Sequence, residues 1–293
     1  MKFKFWGVRG SIPTPGPDTV KYGGNTTCIE IRTDDNDLII LDAGTGIHAL
    51  AQALHREMPI TAHIFITHTH WDHIQGLPFF TPMFIKNNQI NIYGGLDPVT
   101  NESIHRALSV QLQYSFFPIR EAQLNAGIEY FTIKPGEPTC IGRAKITPIV
   151  LNHPVLNFGY RVDCDGQSLF FTGDYEPQVN IYSACDEEYP EFQSFIEAKR
   201  EEVTLAMRDV DALIVDSSYT GEEYATKQGW GHGTYDSAIK LAADAQVKKL
   251  FLTHHEPTRS DAELDAIYEA LLKKYPALDF ELLLAQEGIE IPL

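Results

Sequence analysis

The 293 residues carry 43% hydrophobic and 22% charged side chains, the balance of a folded, water-exposed protein with a sizeable core rather than of a disordered or membrane-embedded one. With 40 acidic against 23 basic residues the formal charge is −17, and no run of lysine or arginine occurs, so a long RNA or DNA substrate is disfavoured. No apolar run can span a bilayer, and the opening Met1-Lys2-Phe3-Lys4-Phe5-Trp6 is broken by Gly7 too early for a signal peptide. The four cysteines (Cys28, Cys140, Cys164, Cys185) form no CxxC pair, which predicts a cytoplasmic protein with reduced, mostly buried thiols.

Residues 2–7 predict a strand, as do 27–32 and 37–42, the latter two joined by the turn Asp34-Asp35-Asn36-Asp37. A helix near 46–57 follows, then the β-branched and aromatic strand 62–67. The region 80–140 is mixed, with a strand at 89–93, a helix near 98–112 and loops around Pro118, Pro135 and Pro138. Its aromatic residues Phe79, Phe80, Phe84, Tyr114, Phe116 and Phe117 read mainly as core, closure over a base being the other reading. Further strands fall at 145–151, 158–163 and 168–172, followed by a helix over 188–209 and the strand Val210–Asp216. Thr234 caps a helix over about 235–246, the strand Lys249–Thr253 comes next, and a last helix covers about 260–274. Strands and helices alternating without linker or repeat predict a layered α/β fold, with 1–293 forming one domain.

His68-Thr69-His70-Trp71-Asp72-His73 directly follows the strand 62–67. His68 and His70, two apart on an extended segment, can converge on one cation, while Asp72 and His73 on a turn can serve a second. Imidazole and carboxylate without thiolate suit zinc, manganese or iron in an open catalytic site. Three more strand ends carry donors: Leu151-Asn152-His153-Pro154, Phe170-Phe171-Thr172-Gly173-Asp174 and Leu252-Thr253-His254-His255. Singly each is weak, since a strand-end Asp is commonly a turn former. Together they complete the ligands for two ions.

The ordered set His68-x-His70-x-Asp72-His73, His153, Asp174 and His254, with Leu41-Asp42-Ala43-Gly44 upstream, resembles the metallo-β-lactamase fold superfamily over nearly the whole chain. The resemblance implies a four-layer αββα sandwich with a dinuclear site at one edge and two divalent ions, zinc foremost and manganese or iron as alternatives. It assigns His68, His70 and His153 to one ion, Asp72, His73 and His254 to the other, and Asp174 as the bridge. Strand alternation lets only one of His254 and His255 face the ions; the family pattern selects His254 and leaves His255 behind it or exposed. Gly231-His232-Gly233-Thr234 resembles the histidine motif of ribonuclease Z and its phosphodiesterase relatives. That implies His232 as the general acid for a leaving oxygen, with helix capping or packing on Trp230 as the alternative. A water bridging two ions is acidic enough to attack phosphorus at neutral pH, with Asp72 as its proton acceptor and orienter. Asp216 is a candidate to orient one of the histidines.

Ribonuclease Z carries a long tRNA-gripping arm between its third and fourth metal motifs, whereas only 20 residues separate His153 from Asp174 here. The opening Trp6-Gly7-Val8-Arg9-Gly10-Ser11-Ile12-Pro13, with Tyr22-Gly23-Gly24-Asn25-Thr26, resembles a bacterial group of small hydrolases of this fold associated with cyclic-nucleotide phosphodiesterase activity. Arg9 reads equally as a phosphate contact or as a structural residue, and Asn25 as a turn residue. The expectation is a dinuclear-metal phosphodiesterase acting on a small anionic nucleotide, a 3′,5′-cyclic one foremost. A ribonuclease Z-like nuclease, a lactonase and a nucleotide-binding sensor are the alternatives. No membrane partner is expected, and a homodimer paired through 176–209 is a further expectation.

Overall fold

The computed structural model describes residues 1–97 and 99–293. In chain order the first part comprises β1 (Lys2–Gly7), β2 (Cys28–Arg32), β3 (Leu38–Leu41), α1 (Gly46–Leu54), β4 (Thr61–Phe65), α2 (Trp71–Ile74), β5 (Gln89–Gly94), α3 (Ile104–Gln111) and β6 (Gly127–Thr132). Next come β7 (Thr139–Ile141), β8 (Ala144–Leu151), β9 (Asn157–Cys164), β10 (Gln167–Phe171), α4 (Tyr189–Met207) and β11 (Ala212–Asp216). The last part holds α5 (Gly221–Tyr224), α6 (Tyr235–Asp244), β12 (Lys249–Thr253), α7 (Asp261–Lys274), β13 (Glu281–Leu284) and β14 (Glu290–Pro292).

The strands form two seven-stranded sheets, ordered β14-β1-β2-β3-β4-β5-β6 and β13-β12-β11-β10-β9-β8-β7. Alternation within the strands then dictates four layers. In β3 every residue is buried, which a strand achieves only when both faces are covered. Ile39 and Leu41 join Phe3, Phe5, Phe65, Phe158, Tyr160, Phe171, Ile214 and Phe251 in the core between the sheets. Leu38 and Ile40 turn outward and meet Ile47, Leu50 and Leu54 of α1 and Ile104 and Leu108 of α3. In β11, Ala212 and Ile214 face inward, while Leu213 and Val215 pack against α4, α6 and α7 through Val203, Met207, Ile239 and Leu271. The result is an αββα sandwich.

Parallel pairing runs through β3, β4, β5 and β6 in one sheet and β10, β11, β12 and β13 in the other. Open parallel arrangements present their functional loops at the carboxyl ends of the strands. The loops after β4, β10, β11 and β12 meet there, with that after β8.

Several sequence expectations shift. The helix near 98–112 spans Ile104–Gln111, with residue 98 outside the described residues, and the strand expected from Val210 begins at Ala212. The strands β6, β7, β13 and β14 and the single-turn helices α2 and α5 carry too few residues, or too exposed a pattern, to register as periodic signals. Cys28 and Cys164 are buried but Cys140 and Cys185 are exposed, and all four are free thiols. Of the aromatics around 79–117, Phe80 lies in the core, whereas Phe79, at the end of a short 3-10 helix, and Tyr114 and Phe116, on a turn, stand exposed. Among the described residues no helix is long and apolar enough to cross a membrane.

Candidate metal centre

Asp42, held at φ 62° after β3, shapes the loop that follows β4. Its carboxylate accepts hydrogen bonds from the Thr67 backbone N–H at 2.8 Å and the Thr67 hydroxyl at 2.9 Å. It also accepts Nδ1–H of His73 at 2.7 Å, which fixes that ring and leaves Nε2 directed elsewhere. The α2 turn buries Asp72 and His73 and turns Trp71 outward, 73% exposed. His153, after β8, donates from Nδ1 to the Gly231 carbonyl at 3.0 Å. Asp174 follows Gly173, and its carbonyl accepts from Asn157 Nδ2 at 2.6 Å.

These anchors gather two sets of donors. The ligand atoms of His68, His70, His153 and Asp174 lie within 4.8 Å of one another, as do those of Asp72, His73, Asp174 and His254. Asp174 Oδ2 is 3.5 Å from His68 Nε2 and 3.8 Å from His153 Nε2, while Oδ1 is 3.1 Å from both His73 Nε2 and His254 Nε2. The shared carboxylate thus faces each set with one oxygen. His68 Nε2, His73 Nε2 and Asp174 Oδ1 are buried without a hydrogen-bond partner. Such orphaned polar atoms are costly unless something binds them, and nitrogen and oxygen donors at this spacing fit divalent cations. A third set, Asp174, Asp216, His232 and His254, meets the same spacing, but there His232 Nδ1–H already donates to Asp216 Oδ2 at 2.8 Å.

The charges agree with that fit. Burial pushes His68, His70 and His153 below the ordinary imidazole value, leaving them neutral as ligation requires. Burial also opposes charge on His73 and His254, yet Asp174 together with Asp72 and Asp42 for His73, and Asp216 for His254, raises both. Without a cation, the surrounding carboxylates favour the protonated form of both rings.

The structure brings His68, His70, Asp72, His73, His153, Asp174, His254 and His232 to one locus. It also bears on five residues whose roles the sequence left open. Arg9 is fully buried, donating from Nε to the Gly23 carbonyl at 2.7 Å and from Nη1 to the Arg259 carbonyl at 2.6 Å, while Nη2 lies 3.9 Å from Asp261 Oδ1 without a hydrogen bond; these ties favour the structural reading over a phosphate contact. Of the two readings of His255, burial behind the strand end holds rather than exposure, with its Nε2–H on the Ala285 carbonyl at 2.9 Å. His232 caps no helix, since Thr234 accepts from Ser237 N–H at the start of α6; its ring stacks on His254 at 4.8 Å. Asp216 serves two histidines, bonding His232 and lying 3.7 Å from His254 Nδ1. Asn25 donates to Glu287 from its backbone at 2.7 Å and its side chain at 3.0 Å, a loop tie rather than a site contact.

Other participants escaped the sequence reading. Ser11 N–H donates to Asp72 Oδ2 at 2.7 Å, bringing the loop after β1 into the site. A Cβ on Gly10 would lie 2.2 Å from His254 Cε1, so only glycine permits this approach. Ser218 Oγ lies 3.0 Å from His254 Nδ1 and donates to Asp216 Oδ1 at 2.9 Å. The glycine-flanked stretch around Arg9 was the one signal that this loop approaches something closely.

A family profile described as "Beta-lactamase superfamily domain" matches residues 38–255. Ribonuclease Z of Staphylococcus carnosus (strain TM300) is 25% identical over 330 aligned positions, covering 99% of this chain and 100% of that protein. Among solved structures, a diphosphatase from the PhnP family superposes with a TM-score of 0.66 at 18% identity, covering 100% of this chain and 97% of that one. The short form of human tRNase Z gives 0.63 at 18% identity, covering 100% of both chains. At such identities the superpositions speak for a shared fold.

Proposed function

The chain belongs to the metallo-β-lactamase fold superfamily, and on that premise we propose that it is a metal-dependent phosphodiesterase hydrolysing a small nucleotide, a 3′,5′-cyclic nucleotide foremost. The observation that carries this reading is the pair of donor sets sharing Asp174, with His232 against their edge. His68, His70 and His153 would hold one ion, Asp72, His73 and His254 the other, and Asp174 both. Divalent cations held there, zinc foremost, would supply Lewis-acid activation of water and of a phosphoryl oxygen.

The chain's own groups do the rest. Asp72 orients the attacking water and accepts from it. Burial opposes its charge, but His73 and His254 hold its carboxyl far below the usual range, so it acts as an orienting acceptor rather than a proton store. His232 protonates the departing ribose oxygen. Its Nδ1 is occupied by Asp216, which leaves Nε2 for the substrate. Burial opposes its charge too, yet Asp216 and Asp174 push its pKa up to about 9, so the acid carries its proton at neutral pH. With cations held on Asp174, part of that effect would be offset and the value would move back towards neutrality.

Three features favour a small substrate. The stretch between His153 and Asp174 is filled by β9 and β10, joined at Asp165-Gly166, leaving no room for an arm. The net charge of −17 opposes a polyanion. A cavity of about 870 Å³ opens beside His153, with Asn152, Gln178, Asn180 and Gln193 in its wall, within the usual range for small-molecule sites. The nearly full-length alignment with a ribonuclease Z favours the second reading, RNA cleavage. We also retain a homodimer through 176–209, where Ile181, Phe195 and Leu205 are exposed; sedimentation of the ion-loaded protein tests it.

The deciding experiment is turnover of 3′,5′-cyclic nucleotides by the ion-loaded protein, with a short RNA in parallel. Release of linear monophosphate, abolished in Asp174→Ala, is the expected result. RNA cleavage without cyclic turnover moves the chain to the nuclease reading, and inertness towards both removes the phosphodiester.

A further inference from the structure

Glu176 stands two residues beyond Asp174 with its side chain buried and four segments tied to it. Its carboxylate accepts from the Tyr224 hydroxyl at 2.6 Å and from the backbone N–H groups of Gly229 and Gly231, each at 2.7 Å. Its own N–H donates to the Asn152 carbonyl at 3.1 Å, and its carbonyl accepts from Asn152 Nδ2 at 2.9 Å. One residue therefore joins the strand end bearing Asp174, the loop bearing His153, the helix α5 and the loop bearing His232.

The Gly229–Gly231 loop has no regular structure to hold it. Gly229 and Gly231 adopt φ of +85° and +93°, which lets their N–H groups converge on one carboxylate. At Gly231 the approach is also tight: a Cβ would lie 2.4 Å from His153 Nδ1. The Gly231 carbonyl accepts the hydrogen bond from His153 Nδ1–H, and the next residue is His232. Charge-assisted bonds to backbone N–H groups in a buried site are strong and directional, and removing their acceptor leaves those donors bare.

We propose that Glu176 is the positioning residue for His232: its carboxylate clamps the 229–231 loop and so fixes the imidazole against Asp216 and the donor cluster. The proposal rests on the reading of His232 as general acid for its kinetic consequence, but not for its structural one. Glu176→Gln keeps the shape, leaves a single acceptor oxygen and turns an NH2 onto a backbone donor.

The test has two readouts on zinc-loaded protein. Long-range ¹H–¹⁵N spectra of the imidazoles, with His232 assigned by its absence in His232→Gln, report its placement directly. In Glu176→Gln the His232 resonances should shift and its Nδ1–H exchange faster, while exposed His105, paired with Glu121, stays in place. A folded Glu176→Gln protein with His232 resonances at wild-type positions overturns the proposal. The second readout compares turnover of a cyclic nucleotide, whose leaving group is an alkoxide, with that of thymidine 5′-(4-nitrophenyl) phosphate, whose leaving group needs no acid. The ratio should fall about tenfold or more in Glu176→Gln, as general-acid loss predicts. Equal slowing of both substrates overturns it. If His232→Gln itself leaves the ratio unchanged, the acid role is lost, and the spectra still decide the placement. Should Glu176→Gln fail to fold, Tyr224→Phe removes one clamp bond and should move both readouts the same way by less; no movement overturns the proposal.

Discussion

Arg9 is the largest fully buried side chain of this protein, and its guanidinium bonds carbonyls from both the Gly23 turn and the 256–259 segment. It thereby ties the loop after β1 to the loop after β12, the two that bring Gly10 and Ser11 onto His254 and Asp72. Arg9→Met should cost about 3 kcal/mol in denaturant melts, since bare buried carbonyls each cost about 1–3 kcal/mol, while KM stays at the wild-type value. A raised KM at unchanged stability would return Arg9 to the substrate. His255 makes a pH prediction. Burial pushes its pKa down to about 3, so between pH 6.5 and 3 the unfolded chain binds a proton that the folded chain refuses. Stability is full above pH 6.5 and declines as pH falls through that window, by about 2 kcal/mol between pH 7 and 5. His255→Gln, which can still donate to Ala285, should show a correspondingly smaller acid loss in melts at the two pH values.

At the scale of elements, the buried strands and the residues that converge in the donor cluster were legible in the sequence. Donors packed into six residues after an apolar strand leave few interpretations, and His153, Asp174 and His254 each end such a strand. Alternation could not by itself separate His254 from His255, because His254 takes φ 60° and breaks the strand geometry. Ser11 and Glu176 were illegible for a different reason: they act through backbone groups and distant partners, which leave no residue-type pattern. The three-residue strands β7 and β14 lacked the length to show a period. The helix α4 was foreseen, but its loose seating was not. Only Ile196, Val203 and Met207 of its 19 residues are buried, against five of ten in α6. Amides of α4 should therefore exchange with deuterium well before those of α6, and matching protection in the two helices would contradict this.

At the scale of the whole molecule, a cation held by the cluster would make folding and cation binding one equilibrium. A cation present at 100 times its Kd should add about 2.7 kcal/mol, visible as a Tm that rises with added zinc and falls with a chelator. A Tm indifferent to both would remove the ions from the centre. The sheet order carries this further. Apart from β14, the first sheet is drawn from residues 2–132 and the second from 139–284. One donor set takes His68 and His70 from the first stretch and His153 and Asp174 from the second; the other takes Asp72 and His73 from the first and Asp174 and His254 from the second. During synthesis, then, the half that leaves the ribosome first holds two donors of each set and cannot close a coordination shell alone. Cation capture would then wait for the second half to arrive and dock, and the proposed chemistry would appear only when the architecture is finished.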